Sequence, residues 1–144
     1  MEAEYVTWPS RRSITVDIRN ADDMVALIES LRDSYDDDVL PSIAIGENEI
    51  YLNVSPVGDA RVCLGYGSAT ADWPSLSLFD PSNSDGDDIT YWFTYGGDAS
   101  ELPSRYAIPQ PLAMVVVQEF IANPHSIPQL DGFVWEPDWI VPSE

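Results

Sequence analysis

Lysine is absent from this sequence, and its six basic residues are all arginine: Arg11, Arg12, Arg19, Arg32, Arg61 and Arg105. Without lysine there is no Schiff-base nucleophile and no phosphate-loop ammonium, so two large enzyme classes are excluded. Positive charge is scarce altogether: 25 acids face those 6 bases, for a formal net charge of -19. Binding a phosphate backbone depends on Lys and Arg displacing condensed counterions, so direct nucleic-acid binding is not expected. The field also repels anionic lipid and speeds encounter with a cationic protein. Charge alone favours a second reading equally, an acidic surface kept for solubility or high salt.

Cysteine is nearly absent too, Cys63 being the only one, which rules out an internal disulfide. The opening residues lack the basic and apolar regions of a signal peptide, and this predicts a cytosolic protein. No apolar run nears the roughly 20 residues that cross a bilayer, the longest being 112–117. One histidine, His125, and one cysteine offer no HxxxH or CxxC spacing for zinc, and no cofactor is expected. No GxSxG surrounds a serine, so His125 reads as a loop residue and not as a catalytic base.

What is present is a chain of 144 residues, 44% hydrophobic and 11% aromatic. Such a chain offsets its ordering entropy by burial, and its length fits a single domain spanning residues 1–144. Residues 13–19 alternate apolar and polar, the period of a half-buried strand. Asn20 with Asp23 three residues on is a helix start, and Met24, Leu27, Ile28 and Leu31 follow on one helical face, predicting a helix over 21–33. Runs 42–45 and 50–54 flank a turn-forming loop and predict a hairpin, with further strands at 61–66, 75–79 and 89–95. Residues 80–88 contain no apolar side chain and read as a solvated loop, while 96–98 close a strand with a turn. Pro109 suits the first turn of a second helix running to about 122, and its apolar positions cover more than one stripe, predicting a largely buried helix. A last strand is expected at 132–135. The order predicts an α+β fold, a mainly antiparallel β-sheet with two helices packed on it.

The acidic loop invites a calcium reading, but aligning Gly86 with the glycine of an EF-hand loop places Pro81 and Trp92 at ligand positions. Neither offers a side-chain carboxylate, so the motif fails. Paired carboxylates carry little signal, because 25 acids will produce such pairs by chance. Acids beside aromatics are more informative: Asp72 with Trp73, Trp135 with Glu136, Asp138 with Trp139. Tryptophan concentrates in interface hot spots, and a neighbouring carboxylate can meet a partner's arginine. Trp92 and Trp135 are expected in the core of the sheet.

The C-terminal half carries Tyr91-Trp92-Phe93-Thr94-Tyr95-Gly96-Gly97-Asp98, then Glu101-Leu102-Pro103, then Ile108-Pro109 opening a helix that ends Gln118-Glu119-Phe120, then Val134-Trp135-Glu136. In order and spacing this resembles the Imm1 family of bacterial immunity proteins, the antitoxins of polymorphic toxin systems. The likeness covers residues 89–136; the N-terminal strand and helix match loosely, and the acidic loop and the tail after 136 depart from the pattern. The resemblance implies a cytosolic, non-enzymatic protein that binds a cognate toxin domain, often a nucleic-acid deaminase. A toxin acting on nucleic acid presents a cationic groove, which an acidic plug can occupy in place of phosphate. The chain itself lacks the HxE and CxxC zinc signature of a deaminase. The expected contact surface comprises Asp72, Trp73, Asp85, Asp87, Asp88, Asp98 and Glu101, on loops and on a turn over 97–101, with a monomer forming a one-to-one complex. The competing reading is a small acidic hydrolase using two carboxylates of separated pKa. A mimic of duplex phosphates ranks lower, because the acids cluster in loops, and a salt-adapted domain of other function is the third alternative.

Overall fold

Asn20 starts the first helix as its side chain predicts, its Oδ1 accepting the backbone N–H of Asp23 at 3.0 Å. A computed structural model gives this and the remaining structure, describing residues 1–35, 39–47, 49–58, 60–68, 76–82, 90–95 and 98–137. Asp23 reaches back in turn to the Arg19 N–H at 2.9 Å, closing a reciprocal cap at the start of α1 (Ala21–Ser34). Those bonds, the backbone N–H first and the Arg19 guanidinium after it, hold the Asp23 carboxyl below its usual range.

A large antiparallel sheet has the spatial order β2 (Ser13–Asp17), β1 (Glu2–Val6), β4 (Ile43–Glu47), β5 (Ile50–Val57), β6 (Arg61–Ser68), β7 (Leu76–Phe79), β11 (Val134–Pro137). The far side of β6 is shared, β7 pairing with its Gly65–Tyr66 end and β10 (Ala107–Pro109) with its Arg61–Cys63 end. A second sheet has the order β3 (Leu40–Pro41), β8 (Thr90–Tyr95), β9 (Asp98–Pro103), with β3 and β8 parallel. The α+β expectation holds.

Alternation along the central strands separates two cores. Val62, Leu64 and Tyr66 of β6 join Leu52 and Val54 of β5 against Met24, Ile28 and Leu31 of α1 and Val116, Val117 and Phe120 of α2 (Gln110–Ala122). Cys63 points the other way and packs with Val57, Ala107, Tyr106 and Phe93, with Tyr91 and Leu102 alongside. The chain is therefore layered as helices, large sheet, small sheet. Gly58 secures the junction of the last two: its φ is +51°, and a Cβ there would lie 2.5 Å from Cε1 of Tyr91, so only glycine lets the β5–β6 turn sit beneath that ring. Arg32, from the end of α1, donates to the carbonyls of Gly58 at 2.6 Å and Arg61 at 3.1 Å, tying the helix to the same turn.

Several expectations need correction. Strands β1, β3, β9 and β10 were not legible, and of the expected turn over 97–101 the described residues 98–101 belong to β9 (Asp98–Pro103), because pairing with β8 outweighs the poor strand propensity of Asp, Ser and Glu. The closing strand lies two residues later than expected, at Val134–Pro137. Helix α2 buries Ala113, Met114, Val116, Val117 and Phe120, but Leu112 and Val115 face solvent, since a helix lying on one sheet covers only one side. No helix among the described residues is long and apolar enough to cross a membrane.

Candidate functional site

In the β8–β9 hairpin Tyr91 lies opposite Leu102, Trp92 opposite Glu101, and Phe93 opposite Ser100. Tyr91, Phe93 and Leu102 turn toward the large sheet. Strand alternation then puts Trp92 and Glu101 together on the outward face, where directly opposed side chains stand about 5 Å apart at Cβ. Trp92 is 48% exposed, and Glu101 is exposed beside it. The expectation that Trp92 is a core residue fails for this reason: three consecutive aromatics cannot all face inward, and Tyr91 and Phe93 hold the inward phase. Glu101 makes no ion pair with another described residue, so its charge is available to a partner.

The remaining expected contact residues fall unevenly. Asp98 opens β9 opposite Tyr95, on the same hairpin as Glu101. Asp72, Trp73, Asp85, Asp87 and Asp88 lie outside the described residues, as does Asp138 with Trp139. Trp135 is half-buried, donating its Nε1 to the Pro128 carbonyl at 2.6 Å and meeting the Tyr66 ring edge-on at 6.2 Å. Glu136, offered above as a partner carboxylate, is engaged internally: it accepts a short hydrogen bond from the Tyr106 hydroxyl and lies 3.7 Å from Arg105. Burial, and then that bond to Glu136, push the Tyr106 hydroxyl up to about 12. Arg105 in turn stacks over the rings of Phe79 and Tyr106, so this cluster locks β11 to the 3-10 turn at Ser104–Tyr106.

Between the two sheets lies a cavity of about 140 Å³, with Phe93, Leu76 and Leu102 among its apolar walls. Its polar lining comes from the face of the large sheet turned away from the helices: Tyr51, Asn53 and Ser55 on β5, Ser77 on β7, with Ser42 between β3 and β4. Cys63 and Gly65 of β6 help form the floor, and Ser100 and exposed Glu101 reach the lining from β9. Ser42 and Ser55 are hydrogen-bonded to each other at 2.8 Å. Cys63 is a protonated, inert thiol here, since burial pushes it up to about 12. Glu101 thus stands on the outward face of the hairpin and also borders the cavity. The cavity was not legible in the sequence, nor was a second exposed aromatic, Trp8, which lines a groove with Tyr5, Pro9 and Tyr35. No group of three or more His, Cys, Asp or Glu side chains is placed to hold a metal among the described residues.

No family model, curated protein or solved structure matches this chain. The functional reading therefore rests on its own residues.

Proposed function

We propose that this protein is an immunity protein that binds a cationic toxin domain, most simply a nucleic-acid deaminase, and blocks access of substrate to it. The observation that carries the reading is the exposed Trp92 beside the unpaired carboxylate of Glu101, on a hairpin whose sequence is part of the Imm1-like pattern. An exposed tryptophan flanked by a carboxylate suits an interface anchor, with the ring filling a pocket and the carboxylate meeting arginine or lysine. The internal consumption of basic groups supports it further. Arg19 pairs with Asp23, Arg32 and Arg61 bind backbone carbonyls, and Arg105 is held beside Glu136, leaving a large surplus of acid to face a partner. The hydrolase alternative needs two carboxylates at one cleft, whereas Glu101 is the one acid among the described residues lining the cavity.

Co-expression with the toxin domain encoded beside this gene is the direct test. The expected outcome is survival of the host and a one-to-one complex. Trp92→Ala should weaken that complex by about 2 kcal/mol or more, roughly thirtyfold in Kd, while leaving the thermal midpoint within about 1–2 °C of the parent. Glu101→Lys, and the pair Asp87→Lys with Asp88→Lys, should each weaken binding and flatten its dependence on salt. Killing that continues with no complex formed would overturn the reading.

A further inference from the structure

The geometry points to the cavity between the two sheets as a binding site for an alkylguanidinium group, its stem against Phe93 and Leu102 and its N–H donors on the hydroxyl and amide lining. The hollow exists because the strands carry small residues where they face the second sheet: Gly65, Ser55, Ser77 and Cys63 on neighbouring strands leave space that larger side chains would fill. A cavity lined only by apolar side chains stays dry. This one is lined with hydrogen-bonding capacity that the fold leaves partly unused. Ser42 and Ser55 satisfy each other, but the Asn53 amide and the Ser77 hydroxyl, the latter 7% exposed, make no side-chain hydrogen bond with another described residue. Asn53 is half-buried, so water can reach these groups, and a ligand that enters the cavity exchanges that water for hydrogen bonds of its own.

The chemistry of the lining selects the ligand. None of the described lining residues is cationic, and the chain carries a net charge of -19, so nothing offsets the desolvation of an anion. Glu101 is the one acidic residue among the described residues that border the cavity, and the side chains of Asn53, Ser77 and Ser100, also in its lining, carry oxygens able to accept hydrogen bonds. A planar group with several N–H donors uses those acceptors together, and its aliphatic stem fits the apolar walls. An ammonium, compact and strongly hydrated, would have to shed more water to enter. Two sources supply the group, the arginine of a partner protein and a free small guanidine. The site itself does not depend on the immunity reading.

The test is an amide NMR titration of the full chain with n-propylguanidinium chloride, with n-propylammonium as comparison. The expected result is saturable shifts at Asn53, Gly65 and Ser77 with a millimolar Kd, at least fivefold tighter than for the ammonium. Gly65→Ala is the structural control. Its Cβ would sit 3.6 Å from the Leu76 carbonyl and 3.8 Å from Cβ of Asn53, ordinary contact that leaves the fold intact while occupying the floor. That variant should keep its thermal midpoint and lose at least fivefold in affinity. Parallel titration with the capped tripeptide acetyl-Gly-Arg-Gly-amide separates the sources: binding as tight as propylguanidinium assigns the site to a protein arginine, and binding by the small guanidine alone assigns it to a free metabolite. No saturable shift at those amides up to 50 mM, equal binding of the ammonium, or undiminished binding by a folded Gly65→Ala variant would each overturn the proposal.

Discussion

Cys63→Ala should invert its effect on stability as the pH rises. The thiol is 3% exposed, paired across the sheet with Ser55 on one side and Ala107 on the other, and packed beneath the second sheet. Burial raises it from an ordinary 9.0 to about 12, so the folded chain keeps its proton through a range in which the unfolded chain loses it. In that range the unfolded state binds fewer protons, and unfolding becomes easier by about 1.4 kcal/mol per pH unit. The thiol's stabilising contribution is therefore complete below pH 9 and declines as pH rises toward 12. Removing the sulfur costs about 1 kcal/mol of packing at neutral pH, the scale of one buried methyl-sized group. The parent should thus lead Cys63→Ala by about 1 kcal/mol at pH 7.5, meet it near pH 10, and fall below it by pH 11. Urea unfolding followed by tryptophan fluorescence at half-unit steps from pH 7.5 to 11 reads this directly. Tyrosines such as Tyr106 also titrate above pH 10, but they do so in both proteins and cancel in the difference. A difference in stability that stays constant across pH 8 to 10.5 would refute the argument, since it would mean that the thiol ionises alike in both states.

Two further perturbations test the layering. Phe120→Ala removes a ring buried between α2 and the large sheet, 6.0 Å from Tyr66 in an edge-on pair; a loss of about 3–5 kcal/mol is expected, lowering the calorimetric midpoint by roughly 10–15 °C for a chain of this size. Gly58→Ala must place a methyl 2.5 Å from the Tyr91 ring at a backbone φ of +51°. It should cost about 2 kcal/mol in urea unfolding and increase proteolysis of the small sheet, whereas a stability equal to the parent's would mean that the two sheets are not docked through this turn.

What the sequence disclosed and what it concealed follow from the range of the interactions involved. The Asn20 cap, helix α1 and the β4–β5 hairpin are specified by neighbours within a few residues, and all three were legible. Strand β1 was not, because it reaches its place between β2 and β4 through pairing with Ile45 and Val16, partners that no local pattern in Glu2-Ala3-Glu4-Tyr5-Val6 announces. The same limit applied to β9, whose strand character comes from β8. The candidate site was concealed more deeply. Consecutive Tyr91, Trp92 and Phe93 contain both phases of a strand, and only the second sheet docking on Val57 and Cys63 decides that Trp92 faces out. Glu101 could be named from its charge, but its position opposite Trp92 is a matter of register. Gly65, Ser55 and Ser77 are unremarkable apart from one another, and they become a cavity only when adjacent strands bring them side by side beneath Phe93. A binding surface of this kind is a property of register and docking, so its residues can be suspected one at a time from the sequence but are assembled only by the fold.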